Sequence, residues 1–241
     1  MQIIKARDYE DMSIKAAEVM ISRLKQNPAL NIGFATGGTP IGLYEHLIED
    51  HKKHQTSYQE VTSFNLDEYI GLSYDHPQSY HSYMKEHLFN HIDIRQDQIF
   101  IPKSNSLDPE TACAAYEDAL FTHGGIDIQI LGIGSNGHIG FNEPGTSFQS
   151  NTHIVQLEES TRAANARYFN TISEVPTHAI TMGIASIMRS KEILLLVSGQ
   201  SKKDALYHLL HGEETEDFPA SILKRHLRVT VIADHDARGE S

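Results

Sequence analysis

The chain has 241 residues, 39% of them hydrophobic and 22% charged. That is the ordinary globular mix, and the length suits one large α/β domain over residues 1–241 with a core that needs no staples. Twenty Lys and Arg stand against 32 Asp and Glu, a net charge of −12, which argues against a nucleic-acid surface but leaves room for a local basic pocket. Cys113 is the single cysteine, so an internal disulfide and a cysteine-based zinc cluster are excluded. The strongest apolar run, Ile193 to Val197, is too short to cross a membrane, and the first residues lack a signal peptide's apolar core. A soluble cytoplasmic protein is expected.

In chain order, Asp8 is placed to cap a helix whose Ile14, Ala17, Ile21 and Leu24 share a face, closed by Pro28. Asn31 to Ala35 reads as a strand. Thr39 then reads as an N-cap with Pro40 at the first helical position, and Leu43, Tyr44, Leu47 and Ile48 form the stripe of that helix. Val61 to Leu66 is a second strand, and Tyr80, Tyr83, Met84, His87 and Leu88 fall at helical spacing. Asp108-Pro109 opens a helix that Gly124-Gly125 ends. Ile126 to Leu131 and Ile193 to Val197 are strands, a helix follows from about Ser201 to His211 with Gly212 as its stop, and Val229 to Ile232 is the last strand. Strands separated by helices predict one Rossmann-like α/β domain, a mainly parallel sheet with helices on both faces. Ligands of such sheets sit beyond the carboxyl ends of the strands.

Four strand-end segments stand out. Ala35-Thr36-Gly37-Gly38-Thr39-Pro40 joins a strand to a helix N-terminus; its glycines admit an anion, and it lacks the Lys of a nucleoside-triphosphate loop. It is equally readable as a plain βα turn. Phe64-Asn65-Leu66-Asp67-Glu68-Tyr69 offers two adjacent carboxylates, of which an extended chain aims only one at a cleft, where it can serve as a base, although the segment taken alone reads more readily as a solvated acidic turn. The third segment, from Gly132 to Gly145, contains the spacing G-x-G-x-x-G at Gly132, Gly134 and Gly137, with Glu158 near the acidic position of a dinucleotide site. That spacing needs a helix starting inside the loop, and the following residues read as loop, which weighs against a dehydrogenase. What remains there is an imidazole, a carboxamide and a carboxylate on glycine-rich backbone, a set suited to proton transfer near neutral pH. Ser198-Gly199-Gln200-Ser201-Lys202-Lys203 offers a Lys pair that can hold an anion at a strand end, and reads equally as two exposed lysines on a first helical turn. Arg162 and Arg167, five apart, would not both reach one anion. The histidine pairs His51/His54, His87/His91 and His208/His211 lack the further ligand that a zinc site needs.

Together these segments resemble the glucosamine-6-phosphate deaminase (glucosamine/galactosamine-6-phosphate isomerase) family. The matching pieces are Thr36-Gly37-Gly38-Thr39-Pro40, Phe64 to Leu72, His76-Pro77-Gln78-Ser79-Tyr80, Gly137-His138-Ile139 with Phe141-Asn142-Glu143-Pro144, and Thr161-Arg162 with Asn165 and Arg167. They keep the family's order over most of the chain. The resemblance implies amino-sugar catabolism: glucosamine 6-phosphate and water give fructose 6-phosphate and ammonia, with no cofactor and no metal. It implies that His138, beside Asn136 and Glu143, opens the sugar ring. Asp67 takes the C2 proton, and Gly37, Gly38, Thr39, Arg167 and Lys202 hold the phosphate.

Two departures matter. Position 136 is Asp in the well-known enteric members; Asn136 can hydrogen-bond the imidazole but not offset its charge, so Glu143 is expected to bear more of that burden. The Ser, Arg and Lys that hold an activator phosphate in allosteric members correspond to Thr146, His153 and Val155, so non-allosteric, hyperbolic kinetics are expected. The enteric hexamer is not implied; a monomer or small homo-oligomer with no nucleic-acid or membrane partner is. A 6-phosphogluconolactonase-like hydrolase and a non-catalytic sugar-phosphate sensor are the competing readings, and Leu157 to Pro176 is placed to move as a lid.

Overall fold

A computed structural model describes residues 1–239 except 107, 158, 160, 161, 164, 165, 167, 168 and 170. Helix α1 spans Tyr9–Gln26, and the Asp8 carboxylate accepts the Asp11 N–H at 2.8 Å, as a cap should. Its buried arc is broader than the expected stripe. Met12, Ala16, Met20 and Leu24 are buried, whereas Ile14 and Ile21 are only half-buried. The helix packs against two strands of the sheet as well as against α2, Ile41–His54, so more than one face is covered.

Strands β1 (Gln2–Lys5), β2 (Asn31–Phe34), β3 (Thr62–Asn65), β5 (Ile99–Phe100), β6 (Ile128–Leu131), β9 (Glu192–Val197) and β10 (Val229–Ala233) form one sheet in the order β1-β10-β9-β6-β2-β3-β5. Every pairing in it is parallel. Every residue of β6 and β9 is buried, as expected of a sheet covered on both faces. Burying one such Leu or Ile contributes about 1.5–3 kcal/mol before entropy is counted. Helix α4, Pro109–Thr122, is capped by Asp108 and lays Tyr116 and Leu120 against the core.

The strand order fixes where a ligand goes. From β2 the chain winds outward through β3 to β5, and from β6 it winds the other way through β9 and β10. The winding reverses between β2 and β6. In sheets wound this way ligands bind beyond the strand ends at that reversal, here between the segments after Phe34 and after Leu131.

A second sheet lies outside the sequence expectation. β4 (Asp67–Tyr69), β7 (His153–Gln156) and β8 (His178–Thr181) form an antiparallel sheet in the order β4-β8-β7. Leu66 is the junction: its N–H bonds Phe34 O in the large sheet, and its carbonyl accepts the Met182 N–H just beyond β8. The chain therefore leaves the parallel sheet at Asn65 and delivers Asp67 opposite Thr181 in the small one.

Candidate active site

The turn after β2 is open backbone. Gly37 has φ +94°, and a methyl group built on Gly37 or Gly38 meets nothing within 4 Å. The expected cap is corrected by one residue: the helix begins at Ile41 with Pro40 in the cap position, and no side chain of the cap residue bonds the first turn. The Tyr9 hydroxyl from α1 takes over, accepting the Gly42 N–H at 2.9 Å. Thr39 is thereby released from capping and stays on the turn beside the crevice.

Lys202 closes a 3₁₀ turn, Gln200–Lys202, that follows β9; the helix expected from about Ser201 starts at Lys203. It is half-buried and meets no carboxylate within ion-pair distance among the described residues, and burial lowers its ammonium pKa. Asp234, which sequence reasoning missed, organises this end of β9. It accepts from Ser198 Oγ at 2.5 Å, from Gly199 N–H at 3.0 Å, and from Ala237 N–H at 2.8 Å, where it caps the helix His235–Arg238. Arg167 lies outside the described residues. Arg162 donates to the carbonyls of Ile172 and Val175.

No helix follows β6. Residues 132–152 form turns and loops up to β7, so the G-x-G-x-x-G spacing lacks the helix N-terminus that a dinucleotide site requires. The glycines serve the histidine instead. A methyl group on Gly134 would lie 2.3 Å from the His138 ring, and Gly137, φ +85°, makes the turn that returns the chain to it. His138 Nδ1 is 3.4 Å from Glu143 Oε2, within ion-pair range but without the geometry of a hydrogen bond. Asn136 does not bond the imidazole, contrary to expectation. Its Nδ2 donates to Glu143 Oε2 at 2.7 Å, and its Oδ1 accepts the backbone N–H of His138 at 3.2 Å. The carboxamide thus braces the buried carboxylate and the loop, and among the described residues Glu143 is the carboxylate within ion-pair distance of the ring.

Asp67 and Glu68 point to different places, as an extended chain requires. Glu68 is buried and takes the Tyr69, Tyr80 and His81 N–H groups at 2.8, 2.9 and 3.1 Å, with His81 Nδ1 at 2.9 Å. It fastens β4 to the first turn of α3, Tyr80–His87, whose N-cap is Ser79. Asp67 faces the histidine loop: a methyl group on Gly140 would lie 3.5 Å from its Oδ2 and 3.1 Å from Thr181 Oγ1. Thr181 Oγ1 in turn accepts the Phe141 N–H at 3.1 Å, tying loop to small sheet. Burial, reinforced by the charge of Glu68, raises the Asp67 pKa to about 8. Desolvated carboxyls of this kind recur at proton-transfer sites.

A pocket of 260 Å³ opens against Gly37 and Gly38, with Tyr69, Tyr80, Tyr83 and Phe169 in its wall. Larger clefts, 560 Å³ between α1 and α2 and 610 Å³ around Glu117, lie away from this crevice. At the positions corresponding to an activator site, His153 Nδ1 bonds Asn151 O and Val155 lies in β7, while Thr146 Oγ1 donates to Glu143 O at 2.6 Å. Burial pushes the Cys113 thiol up to about 11, unsuited to a nucleophile. No helix among the described residues is long and apolar enough to cross a membrane.

This doubly wound sheet, with an open glycine turn after β2 and a His–carboxylate loop after β6, is the fold shared by glucosamine-6-phosphate isomerases and 6-phosphogluconolactonases. The chain belongs to the family of glucosamine-6-phosphate isomerases and 6-phosphogluconolactonases, whose model matches residues 7–232. It is 59% identical over 237 residues to a glucosamine-6-phosphate deaminase of Halalkalibacterium halodurans, covering 98% of this chain and 96% of that one. It is 52% identical to glucosamine-6-phosphate deaminase 1 of Bacillus subtilis, with 98% of each chain covered. A solved glucosamine-6-phosphate deaminase described as monomeric superposes over the whole of both chains with a TM-score of 0.97 at 51% identity. A 6-phosphogluconolactonase from Trypanosoma cruzi superposes with a TM-score of 0.81 at 19% identity, a likeness of fold alone.

Proposed function

We propose that the protein converts glucosamine 6-phosphate and water into fructose 6-phosphate and ammonia. The observation that supports this over lactone hydrolysis is the position of Asp67, a desolvated carboxyl beside Gly140 in the loop that bears His138 and Glu143. Opening a lactone needs no base at C2; an aldose–ketose isomerisation does. The chemistry is isomerisation with deamination, water entering only to hydrolyse an imine.

In this reading the turn at Gly37, Gly38 and Thr39, with Lys202 and Arg167, holds the phosphate and so orients the far end of the sugar. His138 takes the O1 proton and delivers one to O5, opening the ring. Glu143, against Nδ1, steadies the imidazolium formed in between, and Asn136 keeps Glu143 in place. The other ring nitrogen, Nε2, is then the one that meets the sugar. Asp67 as carboxylate removes the C2 proton, giving an enolamine; a proton returned to C1 gives the ketimine, which water cleaves to fructose 6-phosphate and ammonia. Each positioned acid or base contributes about 10²- to 10⁴-fold. With His153 and Val155 where an activator phosphate would need cations, turnover follows a hyperbolic rate law in a monomer or small homo-oligomer.

The test is to offer glucosamine 6-phosphate and 6-phosphogluconolactone separately. Equal amounts of ammonia and fructose 6-phosphate from the first, with no faster loss of the second, are expected; the reverse pattern would replace the deaminase reading with the lactonase one. A sigmoidal rate curve relieved by N-acetylglucosamine 6-phosphate would overturn the non-allosteric part.

A further inference from the structure

Three tyrosine hydroxyls from three different helical segments converge on the carbonyls of the turn after β2. Tyr44, in α2, donates to Ala35 O at 2.5 Å. Tyr83, in α3, donates to Gly37 O at 2.6 Å. Tyr9, at the start of α1, donates to Gly38 O at 3.1 Å while accepting the Gly42 N–H. A glycine-rich turn of this length has no internal ladder to fix its peptide planes, yet three of its carbonyls are held from outside.

The consequence follows from the planar trans peptide, in which a carbonyl and the next residue's N–H point in opposite directions. Anchoring Ala35 O, Gly37 O and Gly38 O on tyrosines turns the N–H groups of Thr36, Gly38 and Thr39 the other way. The N–H groups of Gly38 and Thr39 meet no acceptor among the described residues, and the space around Gly37 and Gly38 is open. Successive N–H groups aimed into one concavity bind an anion. Left unheld, a Gly-Gly segment would sample many peptide orientations, and binding would bear the cost of ordering it.

We infer that Tyr9, Tyr44 and Tyr83 are positioning residues that preorganise the Gly37-Gly38-Thr39 turn for a phosphate monoester. The inference rests on the proposed sugar-phosphate function and adds the device that shapes its anion site. None of the three hydroxyls needs to touch substrate; their protons are committed to the backbone.

The experiment uses Tyr83→Phe and Tyr9→Phe, which keep the ring and remove only the hydroxyl; Tyr44 is fully buried and is the riskier site. Inorganic phosphate serves as the probe, as a competitive inhibitor and in titration calorimetry, beside glucosamine 6-phosphate kinetics. One such hydrogen bond is worth about 2- to 10-fold in affinity. Each variant is expected to raise KM and the phosphate inhibition constant together by that factor, with kcat within about twofold, and the double variant by roughly the product. Residual turnover of unphosphorylated glucosamine is expected to be unchanged in Tyr9→Phe, whose side chain is not part of the pocket wall, because the turn then has nothing to hold. Unchanged phosphate affinity in both variants overturns the inference, as does an equal loss with unphosphorylated glucosamine in Tyr9→Phe. If the unmodified protein neither binds phosphate nor turns over the sugar phosphate, the functional reading fails first, and the two failures are distinct.

Discussion

The Asp67 carboxyl carries a stability cost that a single substitution should reveal. Its ordinary value of 3.8 is raised to about 8, chiefly by burial and then by Glu68. Folding therefore favours the protonated form, and ionisation at higher pH works against the fold. The parent loses stability as pH rises from about 4 toward 8, and the loss is complete above the folded value. At pH 7 the difference spans about three units, or about 4 kcal/mol at 1.4 kcal/mol per unit. Relaxation and the amide's own desolvation reduce the gain from Asp67→Asn to about 2 kcal/mol. For a chain of this size that is a rise of about 4–8 °C in melting temperature. Thermal denaturation of both proteins at pH 5 and pH 8 reads it directly: the variant melts higher at pH 8, and the gap shrinks to about 1–2 °C at pH 5, where both carry a neutral group. A variant that melts lower at pH 8, or a gap independent of pH, would refute the reasoning. The gain comes with lost activity, the usual trade where a buried ionisable group serves the reaction.

Glu68→Gln removes the charge that helps raise Asp67, so the acidic limb of kcat/KM against pH should move to lower pH; an unmoved limb would disconnect the two carboxyls. Gly134→Ala places a methyl group 2.3 Å from the His138 ring and should cost about 10²-fold in kcat by displacing the imidazole, with KM nearly intact. Lys202→Met should raise KM by about 10- to 100-fold with a smaller change in kcat, the loss of one charge-assisted contact to phosphate. In each case the melting temperature separates a local effect from a folding defect.

Five strands of the parallel sheet are legible in the sequence as short, mostly apolar runs between helices that Asp8 and Asp108 cap; the edge strands β1, Gln2–Lys5, and β5, Ile99–Phe100, are not, because one is flanked by polar residues and the other is two residues long. The small sheet is not legible either. β4 is three residues, Asp67-Glu68-Tyr69, and β7 is four, His153–Gln156; neither shows an apolar run, and both exist because they pair with β8. The division of labour between Asp67 and Glu68 followed from period-two geometry, but the partner of Glu68, the start of α3, needed tertiary structure. Asp234 and Tyr9 escaped notice for the same reason, since each acts on backbone far away in sequence: Gly199 for one, Gly38 and Gly42 for the other. The misplaced cap at Thr39 reflects this too, because the first turn of α2 is served by α1. The family resemblance sets Asn136 beside the imidazole, but the tight turn at Gly137 brings its amide to Glu143.

The central claim is that Asp67 removes the C2 proton of a bound amino-sugar phosphate. The direct measurement is ammonia and fructose 6-phosphate released together from glucosamine 6-phosphate by the parent and by Asp67→Asn, with substrate binding measured on both. The account predicts equal amounts of the two products from the parent. The variant should still bind the sugar phosphate yet turn it over at least about 10²-fold more slowly. A parent that forms neither product, or a variant that forms both at the parental rate, would contradict it.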